Sequence, residues 1–130
     1  RPKEDIVLRQ IKDVVADVTD DPTLHGQAIF FNPNAMRGKL KHISVDIYVN
    51  GKKAGSVKKD YKIVIPSKAE FTVPIQVKLN IKELGLFDTL LGMVGGKNFE
   101  IRYDGYLRLT YRGIPIKVPI DYKDDVRIRL

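Results

Sequence analysis

Apolar and polar residues alternate through most of this chain, and that period of two predicts β-strands with one buried face. The alternation is clearest in residues 43–49, 71–79 and 114–122. Asn50 and Gly51 follow the first of these segments. Asn-Gly between alternating segments is a strong signal for a two-residue hairpin, because both turn residues must accept positive φ. The pattern therefore predicts a hairpin whose second strand ends at Ile65.

Seven segments of the chain have strand character. They cover residues 6–19, 24–31, 43–49, 57–65, 71–79, 99–111 and 114–130. Pro74, Pro115 and Pro119 stand on the polar side of their segments. Proline has no amide hydrogen to donate to a neighbouring strand, so each proline amide position must face away from a partner.

One segment departs from the period of two and fits a helix at about residues 81–94. Its apolar residues recur with a spacing of 3.6, and Asn80 with Glu83 can cap its first turn. Gly95 and Gly96 supply the end. We expect the apolar face to cover one end of the sheet core; the alternative is that part of this face docks a membrane or a partner.

Together these signals predict a mainly β protein. The expected fold is an antiparallel β-sandwich of immunoglobulin or fibronectin type III style, with about seven strands and one short helix. With 130 residues and no linker or internal repeat, the chain is expected to form a single domain over residues 1–130. No apolar run approaches the length that spans a bilayer.

Residues suited to catalysis or metal binding are sparse. The chain has no cysteine, which excludes disulfides, thiolate zinc sites and cysteine nucleophiles. His42 and Ser44 lie two apart on one strand face, but they are too far apart for a nucleophile and its base and lack a third orienting group. We therefore predict no enzyme activity, no catalytic residues, no cofactor and no metal.

The net charge of +7 is concentrated in one part of the chain. Residues 37–62 contain eight basic and two acidic side chains. The candidate anion-binding residues are Arg37, Lys39, Lys41, Lys52, Lys53, Lys58, Lys59 and Lys62. Two interpretations stay open: attraction of an anionic partner, or a solvated hairpin whose lysines prevent edge-to-edge pairing. Nucleic acid is not favoured as the partner, because no nucleic-acid motif accompanies the nearby tyrosines.

The order of short motifs resembles a known family. A strand ends in Asn32-Pro33-Asn34, residues 43–54 form an Asn-Gly hairpin, and Ile65-Pro66 is followed by the strand at 71–77. The chain closes on the segments Tyr106-Leu107-Arg108-Leu109 and Ile116-Lys117-Val118-Pro119-Ile120-Asp121-Tyr122. This sequence of motifs resembles the late-embryogenesis-abundant type 2 family, whose shared unit is the water-stress and hypersensitive-response (WHy) domain.

The resemblance implies a fibronectin-like sandwich connected with desiccation and stress responses. It offers no catalytic residues, and it carries over Asn32, Pro33 and Asn34, with Asn50 and Gly51, as structural motifs only. Residues 35–38 and Lys68-Ala69 depart from the family pattern. Bacterial relatives resemble secreted or lipid-anchored envelope proteins, which suggests the same location here, with a lipid anchor on a removed N-terminal segment; a cytoplasmic location stays open.

Three functional hypotheses follow. The first is a non-enzymatic desiccation and stress-response protein that protects or binds components of the cell envelope. The alternative is a binding module for an anionic surface, either an acidic lipid membrane or a polysaccharide, that uses the basic hairpin 37–62. The third is a hydrolase whose carboxylates the sequence does not identify. The partner is unknown, and we expect a monomer.

Overall fold

The computed structural model describes residues 6–17, 21–80 and 98–127. These residues form seven strands: β1 (Val7–Asp17), β2 (Thr23–Asn32), β3 (Gly38–Val49), β4 (Lys52–Ile65), β5 (Ala69–Lys78), β6 (Asn98–Tyr111) and β7 (Ile114–Arg127). The helix predicted at residues 81–94 lies outside the described residues. Within the described ranges, no helix is long and apolar enough to cross a membrane.

The strands form two antiparallel sheets. One sheet has the order β1-β2-β5 and the other has the order β4-β3-β6-β7. This arrangement confirms the predicted mainly β sandwich. Pro74 lies in β5, and Pro115 and Pro119 lie in β7. Both strands are at sheet edges, where a missing amide hydrogen does not interrupt a ladder between two neighbours.

The tight turns lie where the sequence places glycine and asparagine. Asn50 and Gly51 have φ of 48° and 82°, and Arg112 and Gly113 have φ of 49° and 78°. These pairs of positive φ values match the right-handed twist of the strands they connect. Lys68, between β4 and β5, also has a positive φ of 50°. It stands in the turn where the resembled family commonly has glycine.

The core fills the space between the two sheets. Alternate residues of β3, β5 and β6 are buried, including Ile43, Val73 and Leu107. Phe30 of β2 stacks on Phe71 of β5 with ring centroids 5.3 Å apart. Burial of one such side chain is worth about 1.5–3 kcal/mol relative to exposure. The period-two pattern is thus realised as a packed apolar layer.

Gly105 permits the central strands of the larger sheet to approach closely. It lies in β6 opposite Val45 of β3 and Ile120 of β7. A β-carbon on Gly105 would collide with the Ser44 carbonyl oxygen and would lie 2.7 Å from the Val45 α-carbon. A backbone cannot yield as the end of a flexible side chain can, so only glycine fits this position without displacing β3.

A register shift in β3 shapes one end of the larger sheet. Leu40 pairs with Leu109 of β6, and His42 pairs with the preceding residue of β6, Arg108. Lys41 is therefore an extra residue in β3 that has no opposite residue in β6. An extra residue of this kind bends a strand and increases its local twist. We therefore expect the beginning of β3, which contains Lys39 and directly follows Arg37, to bend relative to the rest of the strand.

We predict that Gly105→Ala lowers the free energy of unfolding by at least ~2 kcal/mol, because the added carbon forces β3 and β6 apart. Gly26→Ala is the matched control. Its β-carbon would lie 3.4 Å from the nearest Ile11 side-chain atom, which is an ordinary contact. We expect this control to change stability by less than about 1 kcal/mol. Chemical denaturation of both variants measures the difference, and equal effects would contradict the close approach.

Candidate functional site

Asn32 is the centre of a buried polar network at one end of the sandwich. It is the last residue of β2 and has no solvent exposure. Its side-chain Nδ2 donates hydrogen bonds to the Met36 carbonyl at 3.1 Å and to the Pro66 carbonyl at 2.9 Å. Met36 precedes β3, and Pro66 lies between β4 and β5. One amide group therefore fixes two separate loops.

The side-chain oxygen of Asn32 forms a hydrogen bond with the opposite sheet. The Asn32 Oδ1 accepts hydrogen bonds from the Asn34 backbone amide at 3.0 Å and from the Tyr111 hydroxyl at 3.0 Å. The Asn34 side chain donates to this oxygen as well, at 3.1 Å. Tyr111 is the last residue of β6 and is buried. The network thus joins the three-stranded sheet to the four-stranded sheet.

This network also positions the start of β3. Asn34 accepts a hydrogen bond at its carbonyl from the Lys68 amide at 3.0 Å, which ties the loop to the β4–β5 turn. Gly38 then packs against Tyr111, since a β-carbon on Gly38 would lie 3.1 Å from the Tyr111 ring. Arg37, between Met36 and Gly38, is consequently held at the surface beside the end of β6.

A surface cavity of about 530 Å³ opens at this end of the four-stranded sheet. It is lined by Arg37, Gly38, Lys39, Lys41, Val64, Thr110, Arg112 and Gly113. We call it the basic cavity. Its four cations come from the beginning of β3 and from the β6–β7 turn. The β3–β6 register brings these segments together, because Lys39 pairs with Thr110.

The cations of the basic cavity are not neutralised within the described part of the chain. Neither the two arginines nor the two lysines form an ion pair there, and no acidic residue lines the cavity. Ion pairs do occur elsewhere: Arg9 with Glu70, Lys53 with Asp46, Lys78 with Asp21, and Arg102 with Asp104 and Asp121. Four cations without an acidic partner among the described residues therefore share one depression, which gives it a positive potential.

A second surface cavity gives a useful contrast. It has a similar volume of about 500 Å³ and is lined by Lys53, Gly55, Ser56, Lys78 and Asn80. Its two lysines lie 3.6 Å from Asp46 and 3.9 Å from Asp21. Its cations therefore have acidic partners, unlike those of the basic cavity.

The other predicted basic residues are spread along β4. Lys52 and Lys53 begin this strand and Lys62 lies near its end. A separation of ten residues corresponds to roughly 33 Å along a strand. Lys58 and Lys59 lie between them, and the Lys59 Nζ is 5.2 Å from the centroid of the Tyr61 ring. The structure thus brings together Arg37, Lys39 and Lys41 and places Lys52 and Lys53 at the opposite end.

A row of aspartates separates the two ends of the exposed face. Asp46, Asp104 and Asp121 lie opposite one another on β3, β6 and β7. Like charges in direct opposition are unfavourable, and Lys53 and Arg102 offset them with the ion pairs described above. Among the residues that the structure describes, no group of three or more metal-ligating side chains forms a candidate metal site.

His42 and Ser44 do not form a nucleophile pair. The His42 Nδ1 lies 2.7 Å from the Asp60 carboxylate, on the exposed surface. Its ring is also 6.4 Å from that of Tyr106, whose face is occupied by Lys117 at 4.2 Å. These contacts fit a solvated strand face, and among the described residues no hydrogen bond links His42 to the Ser44 hydroxyl.

Arg112 and Thr110 are residues of the basic cavity that sequence reasoning did not select. Arg112 lies outside the basic segment 37–62 from which the candidate anion-binding residues are taken. The relevant signal is the pairing of β3 with β6, which is a long-range feature. Only the register shows that the turn after β6 lies beside Lys39.

A family model described as late embryogenesis abundant protein matches residues 30–124, which include Asn32 and all of the basic cavity. The chain belongs to the late embryogenesis abundant type 2 family. This membership makes it a stress-related protein of the late embryogenesis abundant type. The family is generally non-enzymatic. No curated protein matches the sequence.

Solved structures show the same fold at low sequence identity. A solution structure from Arabidopsis thaliana has a TM-score of 0.71 and 17% identity, and the match covers 98% of this chain and 83% of that one. A crystal structure from Archaeoglobus fulgidus has a TM-score of 0.64 and 13% identity, with 95% and 99% covered. The fold of this late embryogenesis abundant chain is thus shared by plant and archaeal proteins.

Two buried tyrosines of β6 have opposite hydrogen-bonding situations. The Tyr111 hydroxyl donates to Asn32, whereas the Tyr103 hydroxyl has no hydrogen-bond partner among the described residues. Burial raises the pKa of Tyr111. It also raises the pKa of Tyr103, well above its usual range, and the charges of Asp124 and Tyr122 add to that increase.

We predict that Tyr111→Phe destabilises the fold, whereas Tyr103→Phe does not. Tyr103→Phe removes an unpartnered buried hydroxyl and should leave the free energy of unfolding unchanged or raise it by ~1 kcal/mol. Tyr111→Phe breaks the hydrogen bond to Asn32 and should lower it by ~1 kcal/mol. Denaturant titrations of both variants provide the measurement, and a destabilising Tyr103→Phe would show that its hydroxyl has a partner.

Alkaline pH should weaken the fold through the same side chains. Their pKa values are raised in the folded state, so above about pH 10 the unfolded chain loses phenol protons that the folded chain retains. The contribution of these tyrosines to the free energy of unfolding is therefore fully present below this pH, and it is lost as the pH rises above it. Tyr103→Phe should make the decline shallower when unfolding is followed between about pH 9 and pH 12. An identical slope in the variant would contradict the shift.

Proposed function

We propose that this protein acts without catalysis, by protecting or binding components that water loss exposes, and that it does so at the cell envelope or after secretion. Family membership supports the link with stress. The observation that carries the proposal is a sandwich that presents unpaired charge at one end and, among its described residues, no group of three or more side chains that could hold a metal ion. Such a surface suits reversible association with other molecules.

Survival of drying tests the protective role. We expect a strain lacking the gene to survive desiccation or freeze-drying less well than its parent, and the wild-type gene to restore survival. Complementation with Asn32→Ala should restore it less, because that change weakens the folded state. Survival curves that are the same with and without the gene would argue strongly against protection.

Membrane fractionation of the same strains tests the location. A protein attached to the envelope or exported should be recovered outside the soluble cell contents. Recovery in the soluble cell contents alone would remove the envelope from the proposal, while the drying experiment would still decide whether the protein protects.

The second candidate function is binding to an anionic surface, either an acidic lipid membrane or a polysaccharide, through residues 37–62. The specific observation in its favour is the excess of six positive charges in this segment. Lys52, Lys53, Lys58 and Lys59, four of the five exposed lysines of β4, contribute to the long-range attraction. Each lysine or arginine close to an anionic membrane is worth about 1 kcal/mol.

Salt dependence tests this second function. Cosedimentation with anionic vesicles or an acidic polysaccharide should decrease steeply as ionic strength rises from about 0.01 M to about 0.15 M, because the Debye length falls from ~30 Å to ~8 Å. Changing Lys52, Lys53, Lys58 and Lys59 to glutamine should weaken the binding at low salt. Binding that is insensitive to both changes would exclude an electrostatic surface.

A further inference from the structure

We propose that the basic cavity is a binding site for a phosphate group, with Arg37, Lys39, Lys41 and Arg112 as the charged ligands. This inference rests on the second candidate function and narrows it. The second candidate function requires only an anionic surface, whereas this proposal names one chemical group, phosphate. It also assigns the specific contacts to the basic cavity at one end of the sheet and not to the β4 lysines.

The types of residue in the cavity favour phosphate. Two planar guanidinium groups can each donate two parallel hydrogen bonds to phosphate oxygens, and two ammonium groups add compact charge. The Thr110 hydroxyl offers a further donor at the same end of β6. A carboxylate has one charge and two oxygens, whereas a phosphate monoester has nearly two charges and three terminal oxygens. Four cations match the second group better.

The charge balance of the protein points to the same occupant. Like charges held in one depression repel one another, and within the described residues no acid relieves this repulsion at the basic cavity. The second cavity shows that the fold can place acids beside its lysines. A bound dianion would supply the missing negative charge at the basic cavity.

Buried contacts fix the backbone segments that form the basic cavity. The Asn32 network fixes the loop that carries Arg37, and Gly38 packs against the Tyr111 ring. Arg112 and Gly113 both lie in the tight β6–β7 turn, with positive φ. Less ordering entropy is therefore lost on binding than at a site built on mobile loops.

Two exposed apolar side chains flank the cations. Val64 lines the cavity and is 49% exposed, and Ile114, next to Gly113, is 55% exposed. Apolar side chains beside a cluster of cations are the combination that anchors proteins at the boundary between lipid head groups and acyl chains. The phosphate can thus come from a lipid head group or from a free phosphate, and the experiment separates these sources.

The test compares two variants with the same loss of charge. The cavity variant carries Arg37→Gln, Lys39→Gln, Lys41→Gln and Arg112→Asn; asparagine at the last position tolerates the positive φ of the turn. The β4 variant carries Lys52→Gln, Lys53→Gln, Lys58→Gln and Lys59→Gln. Thermal unfolding of both confirms that they are folded, and single changes at Arg37 and Lys41 replace the cavity variant if it is not.

Binding is measured by cosedimentation with phosphatidylcholine vesicles containing phosphatidic acid, and by calorimetry with inorganic pyrophosphate. We expect the cavity variant to lose roughly 100-fold or more in vesicle partitioning, and the β4 variant about tenfold or less. Competition by pyrophosphate would support a site for phosphate from either source. Loss of vesicle binding in the cavity variant without such competition would support a site for lipid phosphate.

Other outcomes overturn the proposal. Equal losses in the two variants would mean that diffuse charge binds the vesicles, which leaves the second candidate function standing without this site. Stronger binding to vesicles of an anionic lipid without a phosphate monoester, or to a carboxylated polysaccharide, would assign the cavity to another anion. Wild-type protein that binds none of these probes would refute both the site and the second candidate function.

Discussion

The buried amide of Asn32 is the interaction on which the arrangement of this end of the sandwich depends. A polar group with no solvent exposure must satisfy its hydrogen bonds inside the protein. Asn32 does so by donating to two loops and by accepting from Tyr111 of the opposite sheet. An apolar residue would leave those carbonyls and the hydroxyl unpaired, at a cost of about 1–3 kcal/mol for each group. Hydrophobic packing brings the sheets together, and this amide sets how their ends meet.

The same network explains how a structural motif supports a surface feature. The Asn-Pro-Asn segment does not line the basic cavity, yet it positions Arg37 and the first residue of β3, Gly38. The β6–β7 turn then adds Arg112 on the other side. Charges that are scattered in the sequence become a cluster because a long-range register and a polar network hold their backbones in place. Both the motif and the basic cavity lie within residues 30–124, the part of the chain that the family model matches.

The sequence predicted the local features of the fold and missed those that depend on distant pairing. Period-two alternation identified seven strands, and Asn50-Gly51 predicted its turn, because both signals depend on neighbouring residues. The sequence did not show that position 105 requires glycine, because the requirement comes from the close approach of Ser44 in another strand. The basic residues 37–41 were selected as candidate ligands, but Arg112 was not, because only the β3–β6 register places it beside them. The sequence grouped Lys52 and Lys53 with Arg37, Lys39 and Lys41, although the two sets lie at opposite ends of the strands.

A double-mutant cycle between Asn32 and Tyr111 tests the central claim most directly. The free energies of unfolding of the wild type, Asn32→Ala, Tyr111→Phe and the double variant are measured by denaturant titration. If the Asn32 amide joins the two sheets through the Tyr111 hydroxyl, the account predicts a loss of about 3 kcal/mol for Asn32→Ala and a coupling energy of ~1 kcal/mol. Strictly additive effects, or an Asn32→Ala variant as stable as the wild type, would contradict it.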